Sequence, residues 1–193
     1  MKKILLIIGT TVCLLVSTAY AENTKTRGIY FEIGLGVNKI SYSEEVDDAI
    51  ELLDGLGADR TTIFLDMGLG YAIGQKTYIV GSISGIGDRL SYDQDYLQLN
   101  TYLFGIGIRY YPFYKGLQLG ADVGIGKMVM SSSDETIDNT TSDNGFGSKL
   151  TIAYDFDSTL TGPATLIGGA LLIDTINNNT ITSGSIYLNF IIK

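Results

Sequence analysis

Six charged residues are the chemistry this chain could carry: Glu32, Asp66, Arg109, Asp122, Lys149 and Asp155. Each interrupts a run of alternating residues, in the phase that otherwise holds mostly glycine, alanine, serine and threonine. Carboxylates and cations sharing such a phase can pair into a buried ion network or line a selective polar path. Hydrolysis is a poor fit. The chain has no histidine, which removes the usual Ser–His–Asp arrangement, and no Cys/His cluster offers itself to zinc. The glycine strings do not open helices, so they are not phosphate loops. No metal, no cofactor and no enzymatic activity are therefore expected.

The elements that must position these charges are strands. Eight segments show period-two hydrophobicity, at about 28–39, 60–73, 76–89, 95–111, 116–130, 144–157, 162–174 and 180–192. Successive side chains of a strand point to opposite faces. In the first segment Ile29, Phe31, Ile33, Leu35 and Val37 share one face, against Tyr30, Glu32, Gly34, Gly36 and Asn38. In the fifth, Leu117, Leu119, Ala121, Val123 and Ile125 oppose Gln118, Gly120, Asp122, Gly124 and Gly126. The third and seventh carry apolar residues in both phases. A one-residue slip there reverses every assignment.

A soluble barrel would bury the apolar phase, whereas a membrane barrel turns it outward. The small-residue phase makes a poor water-facing surface but fills a narrow lumen well. Phe31, Tyr71, Tyr110, Tyr154, Phe156 and Phe190 end the apolar phase at one level, as an interfacial aromatic girdle does. In hydrocarbon every backbone group must be paired, so a spanning sheet closes. The expected fold is all-β: an eight-stranded antiparallel up-and-down transmembrane β-barrel. A soluble periplasmic barrel of the lipocalin kind is the competing architecture. Pairing the fifth and sixth strands about the 131–143 link puts Lys149 near Gly124, diagonal to Asp122. An Asp122–Lys149 pair is expected, with Arg109 joining an acid on a neighbouring strand.

The links alternate in character. Gly74–Lys76, Pro112–Lys115 and Ser158–Gly162 are tight, whereas Ser41–Arg60 and Ser131–Asp143 are long and acidic. Glu44, Glu45, Asp47 and Asp48 crowd the first, Asp134, Glu135 and Asp138 the other, and Asp88, Asp93 and Asp95 fall around the link between them. These acids make either a solvated surface or a binding face for cations or a positively charged partner; they lack the spacing of a dedicated calcium loop. Glu44–Gly57 can form a short helical turn with Val46, Ile50 and Leu53 on one face, or remain irregular. A net charge of −8 argues against nucleic acid, whose phosphates need Lys and Arg.

Residues 1–21 read as a cleavable secretion signal: Lys2 and Lys3, an apolar run from Ile4 to Val16, then the Ala19-Tyr20-Ala21 cleavage pattern. The apolar run is shorter than the roughly 20 residues a spanning helix needs. Residues 22–193 form the barrel domain, destined for the outer membrane. Cys13, the one cysteine, lies within the signal.

Taken with the signal, the eight alternating strands and the loop parity, the block Gly107-Ile108-Arg109-Tyr110-Tyr111-Pro112-Phe113 followed by Gly116–Gly124 resembles the small outer-membrane β-barrel superfamily, of the OmpA transmembrane-domain, OmpX or OmpW type. That resemblance implies a monomeric outer-membrane barrel with a structural or surface-contact role through its acidic extracellular loops. The alternative it implies is a narrow channel for small or hydrophobic solutes. The partners would be outer-membrane lipids, the assembly machinery reading the C-terminal strand, and an extracellular ligand or host partner of unknown nature. Members commonly end in an aromatic residue; here Phe190 and Ile192 keep the alternation but the chain ends in Lys193.

Overall fold

The eight alternating segments fold into strands, β1 Ile29–Ser41, β2 Asp59–Ala72, β3 Thr77–Tyr92, β4 Asp95–Tyr110, β5 Leu117–Ser132, β6 Gly145–Asp155, β7 Pro163–Ile176 and β8 Asn179–Ile192, and one helix, α1 Glu44–Gly55. The computed structural model describes residues 28–55, 57–93, 95–113, 116–133, 139–156, 163–177 and 179–193, without the side chains of Glu45 and Ala49. The expected secretion signal lies outside the described residues. Each strand pairs antiparallel with the next, and β8 pairs with β1, so the sheet closes into an eight-stranded barrel. Thr140–Thr141 adds a two-residue ladder beside β5.

Closure is staggered. The row of paired residues from Phe31 passes through Leu69, Gly81, Ile106, Val123, Ser148, Ile173 and Thr182, and returns to β1 at Ser41, ten residues further on. Strand number and stagger together fix strand tilt and bore, and eight strands leave an interior that side chains can fill. The expected phase is the one observed. Leu35, Val37, Ile106, Leu150 and Ile186 are exposed on the outer wall, while Tyr30, Glu32, Asp66, Asp122 and Lys149 are buried inside. The two ambiguous strands resolve likewise: β3 turns Val80, Ser82, Ser84, Ile86 and Asp88 inward, and β7 turns Leu166, Ala170, Leu172 and Asp174 inward.

The first long link is helical over twelve residues. Asp47 secures its first turn, where its carboxylate accepts hydrogen bonds from the Tyr42 N–H at 3.1 Å and the Ser41 hydroxyl at 3.0 Å and lies favourably towards the positive end of the helix. Gly57, at φ +91°, ends it in the left-handed conformation that glycine adopts without strain. The apolar face expected of this segment is used: Ile50 is buried, and Val46 and Leu53 pack on a cluster that includes Ile40, Phe64, Leu90, Leu99 and Ile176. α1 thus lies on the apolar upper lumen, and burying Ile50 alone is worth about 1.5–3 kcal/mol.

The bore tolerates no extra volume where walls meet. A Cβ on Gly124 would overlap the Phe104 carbonyl and lie 2.5 Å from the Gly105 Cα. One on the outward Gly184 would meet nothing within 4 Å. Gly124→Ala is expected to cost about 1–3 kcal/mol and Gly184→Ala less than about 0.5 kcal/mol, read from urea midpoints of the refolded protein; equal costs would refute the facing assigned to β5 and β8.

Candidate functional site

Inward-facing charges need room in a bore this narrow, and glycines opposite them provide it. A Cβ on Gly68 would lie 2.7 Å from the Glu32 Cγ, and one on Gly120 would lie 3.1 Å from the Arg109 Cδ. In that space Glu32 of β1, Asp66 of β2, Arg109 of β4, Asp122 of β5 and Lys149 of β6 converge, each at most 2 % exposed. Arg109 Nε donates to both Glu32 oxygens at 3.1 Å, and its Nη1 donates to Asp122 Oδ2 at 2.9 Å. Lys149 Nζ donates to Asp66 Oδ1 at 2.6 Å and to the Ser84 hydroxyl at 2.9 Å, and lies 3.6 Å from Asp122 Oδ2. Ser82 donates to Asp122 at 2.7 Å and Ser84 to Asp66 at 2.8 Å.

Neutral groups extend the chain towards the end of the barrel that carries the termini. Tyr30 donates to Glu32 at 2.7 Å, and the Gln118 amide donates to the hydroxyls of Tyr30 at 2.9 Å and Tyr111 at 2.8 Å. Asp155 stands apart from the five central charges and pairs with Lys193 Nζ, which also lies over the Tyr111 ring. At the helix end, Arg60 grips Asp88 with Nε at 2.9 Å and Nη2 at 2.7 Å, and the Tyr42 hydroxyl donates to Asp88 at 3.0 Å. Burial, reinforced by the Asp88 charge, pushes the Tyr42 phenol well above its ordinary range, so this contact persists as a donated hydrogen bond.

The placement of the expected residues differs from the sequence reading in instructive ways. Lys149 stands directly opposite Asp122, not diagonal to it, yet its shortest ion pair is with Asp66 across the lumen. Arg109 does join an acid on a neighbouring strand, Asp122, and adds Glu32 across the bore. Asp88, read with an acidic link, is a fully buried strand residue. Of the loop acids, Glu44 and Asp48 are exposed on α1, whereas Asp47 is committed to the helix start. The Glu45 side chain, Asp134, Glu135 and Asp138 lie outside the described residues.

Sequence reasoning missed Asp174. It is fully buried, and neither carboxylate oxygen has a hydrogen-bond partner among the described residues. Its carboxyl fills the hollow left by Gly126 and Gly147, beside Leu103. Asn38, Ser183 and Ser185, on the adjoining wall of β1 and β8, also bury unpartnered polar atoms. Buried polar groups without partners are rare and costly. Among the described residues no group of three or more acidic or sulfur ligands is placed to hold a metal. What the central five residues offer is near-neutralisation, three carboxylates sharing two cations with one negative charge left over when all are ionised.

The two kinds of buried charge respond oppositely to removal. Lys149→Met leaves Asp66 without its cation and is expected to cost about 3–5 kcal/mol. Asp174→Asn exchanges an unpartnered buried carboxyl for an unpartnered buried amide, relieving only what charge adds to the penalty, and is expected to stabilise by about 1 kcal/mol. Urea unfolding of the refolded variants checks both; a destabilised Asp174→Asn would mean that the carboxylate has a partner.

No protein-family model matches the sequence, and no curated protein matches it. Solved structures do match. Neisserial surface protein A superposes with a TM-score of 0.61 at 14% identity, over 88% of this chain and 99% of that one. The attachment invasion locus protein Ail of Yersinia pestis, in complex with the heparin analogue sucrose octasulfate, gives 0.56 at 8% identity, over 87% and 99%. A second structure of Ail gives 0.54 at 10% identity, over 87% and 99%. At these identities the likeness is one of fold: a closed eight-stranded antiparallel barrel.

Proposed function

We propose, from this fold, that the chain is an integral outer-membrane β-barrel without catalytic activity, its lumen plugged, acting through the surface at its helix end. One observation carries the reading. Large apolar side chains, Leu35, Val37, Leu69, Ile106, Ile125, Leu150, Ile152, Ile186 and Leu188 among them, stand exposed around the whole outer wall. Water-soluble monomers do not expose an apolar surface of that extent. Below it Phe31, Tyr71, Tyr154, Phe156 and Phe190 form an aromatic edge; above it the wall turns polar. That order matches a bilayer, with the termini in the periplasm and α1 outside.

The plug has two parts. The ion network occupies the lower bore, and α1 with its apolar cluster occupies the upper. What remains for contact is the outer surface of α1 and its neighbouring loops. There Glu44, Asp48, Glu51 and Asp54 are exposed. Ail was crystallised with a sulfated polyanion; the acidic surface here favours a cationic partner instead. Residues 1–21 act as the export signal, and β8, ending at Ile192 before Lys193, is what the assembly machinery reads. The barrel works as a monomer in contact with outer-membrane lipid.

Two measurements test this. In planar bilayers the refolded mature protein, shown to be folded by its heat-shift on SDS gels, is expected to be electrically silent; discrete, reproducible channels would establish the narrow-channel alternative instead. In refolding titrations into lipid vesicles, Leu65→Arg, in mid-wall, is expected to cost about 2–4 kcal/mol and Thr61→Arg, at the polar edge, about 0–1 kcal/mol. Equal tolerance would remove the membrane.

A further inference from the structure

The cations of the described barrel wall divide by the way they face. Arg60, Arg109, Lys149 and Lys193 are ion-paired on the lumen side. Lys39 of β1, Arg89 of β3 and Lys127 of β5 belong to the outward phase, and none has an ion-pair partner among the described residues. Two exposed acids lie nearby, Asp59 at the tip of β2 and Asp143, which the Thr141–Val129 pairing sets beside Lys127, and neither makes an ion pair with any of the three.

The register sets these three within about three residues of one height. Continuing the β1–β2 pairing places Lys39 beside Thr61, which pairs with Arg89. Lys127 pairs with Tyr102 and, through it, with Gly85, four residues short of Arg89 on β3. The ten-residue stagger raises each row towards the helix end by a little over one residue per strand, about five residues from β1 to β5. That offset cancels the difference and brings Lys127 within about a residue of Lys39 in height. Just beneath lie Val37, Ile63 and Ile125, exposed and apolar. On the other half of the circumference the same height holds Asn144, Thr175 and Thr182, all neutral. The Arg89 guanidinium is already oriented, lying 4.2 Å above the Tyr96 ring with Nε on the Ser91 hydroxyl at 3.3 Å.

We propose that Lys39, Arg89 and Lys127 form a half-belt that holds the phosphate groups of anionic lipid in the leaflet on the helix side, so that β1–β5 are attended by charged lipid and β6–β8 by neutral lipid. The inference rests on the membrane reading above. Arginine and lysine are the side chains that bind phosphate, and these stand at the upper edge of the apolar wall, where lipid headgroups lie. A soluble polyanion would first meet the acidic surface of α1; a lipid is held at this level by its own acyl chains.

The test uses the full mature barrel in phosphatidylcholine vesicles doped with spin-labelled phosphatidic acid or spin-labelled phosphatidylcholine, and the Lys39→Gln/Arg89→Gln/Lys127→Gln triple variant. The motionally restricted spectral component reports lipid at the protein wall. The wild type is expected to prefer the anionic label by about fivefold. The preference should collapse near 1 M salt, where charge is screened beyond about 3 Å, and in the triple variant. Inorganic phosphate at the label's concentration should not displace it; displacement would make this a site for free phosphate and overturn the lipid assignment. A wild type that inserts, with its normal heat-shift, yet shows no preference overturns the half-belt alone. A protein that fails to restrict either label overturns the membrane reading and the belt together.

Discussion

Closure of eight strands with a ten-residue stagger is the constraint on which everything else here depends. It satisfies every rung of the ladder without a free edge, and it leaves a bore that side chains alone can fill. Large side chains such as Phe64, Leu103 and Leu166 fill part of that bore, and the inward phase must be small wherever a long charged side chain crosses. Gly68 and Gly120, standing against Glu32 and Arg109, are consequences of that geometry.

The same narrowness governs the electrostatics. Charges enclosed by a barrel wall lose their water, and each must recover that cost from neighbours. Arg109 does so through Glu32 and Asp122, and Lys149 through Asp66, Asp122 and Ser84. Because the contacts tie β1, β2, β4, β5 and β6 across the bore, they fix the shape of the cross-section as well as neutralise it. Such a network does little for overall stability compared with a packed apolar core. Its contribution is specificity, since a register slip on any of these strands would turn a charge into the outer, apolar wall.

Much of this was legible in the sequence, and what was not has a physical reason. Period-two alternation reveals facing directly, so Glu32, Asp66, Arg109, Asp122, Lys149 and Asp155 could be placed inside from residue types alone. Their partners could not. The Lys149–Asp66 and Arg109–Glu32 pairs span the bore between strands that are not neighbours, and such contacts depend on the stagger, which no local pattern encodes. Asp174 was missed, and Asp88 was read with a link rather than as a lumen residue, because β3 and β7 carry apolar residues on both faces and hide the phase. The helix was half legible: the spacing of Val46, Ile50 and Leu53 showed its apolar face, but the ties through Asp47 to Tyr42 and Ser41 appear only once β1 and α1 are folded together.

α1 also explains why the upper lumen departs from the lower. Beneath it the inward residues change from charges to Phe64, Ile86, Leu99, Leu103 and Leu172, a lining that water would wet poorly and that a helix with one apolar face can cover. The bidentate Arg60–Asp88 pair and the Tyr42 hydroxyl close the rim beside it. An open pore of this diameter would need a polar lining from end to end. Charges that pair with one another below and apolar residues that receive a helix above are the two features on which the proposed plugged lumen rests. On the proposed reading, contact with the outside falls to the exposed acids of α1, which can change with little consequence for the wall that holds the helix.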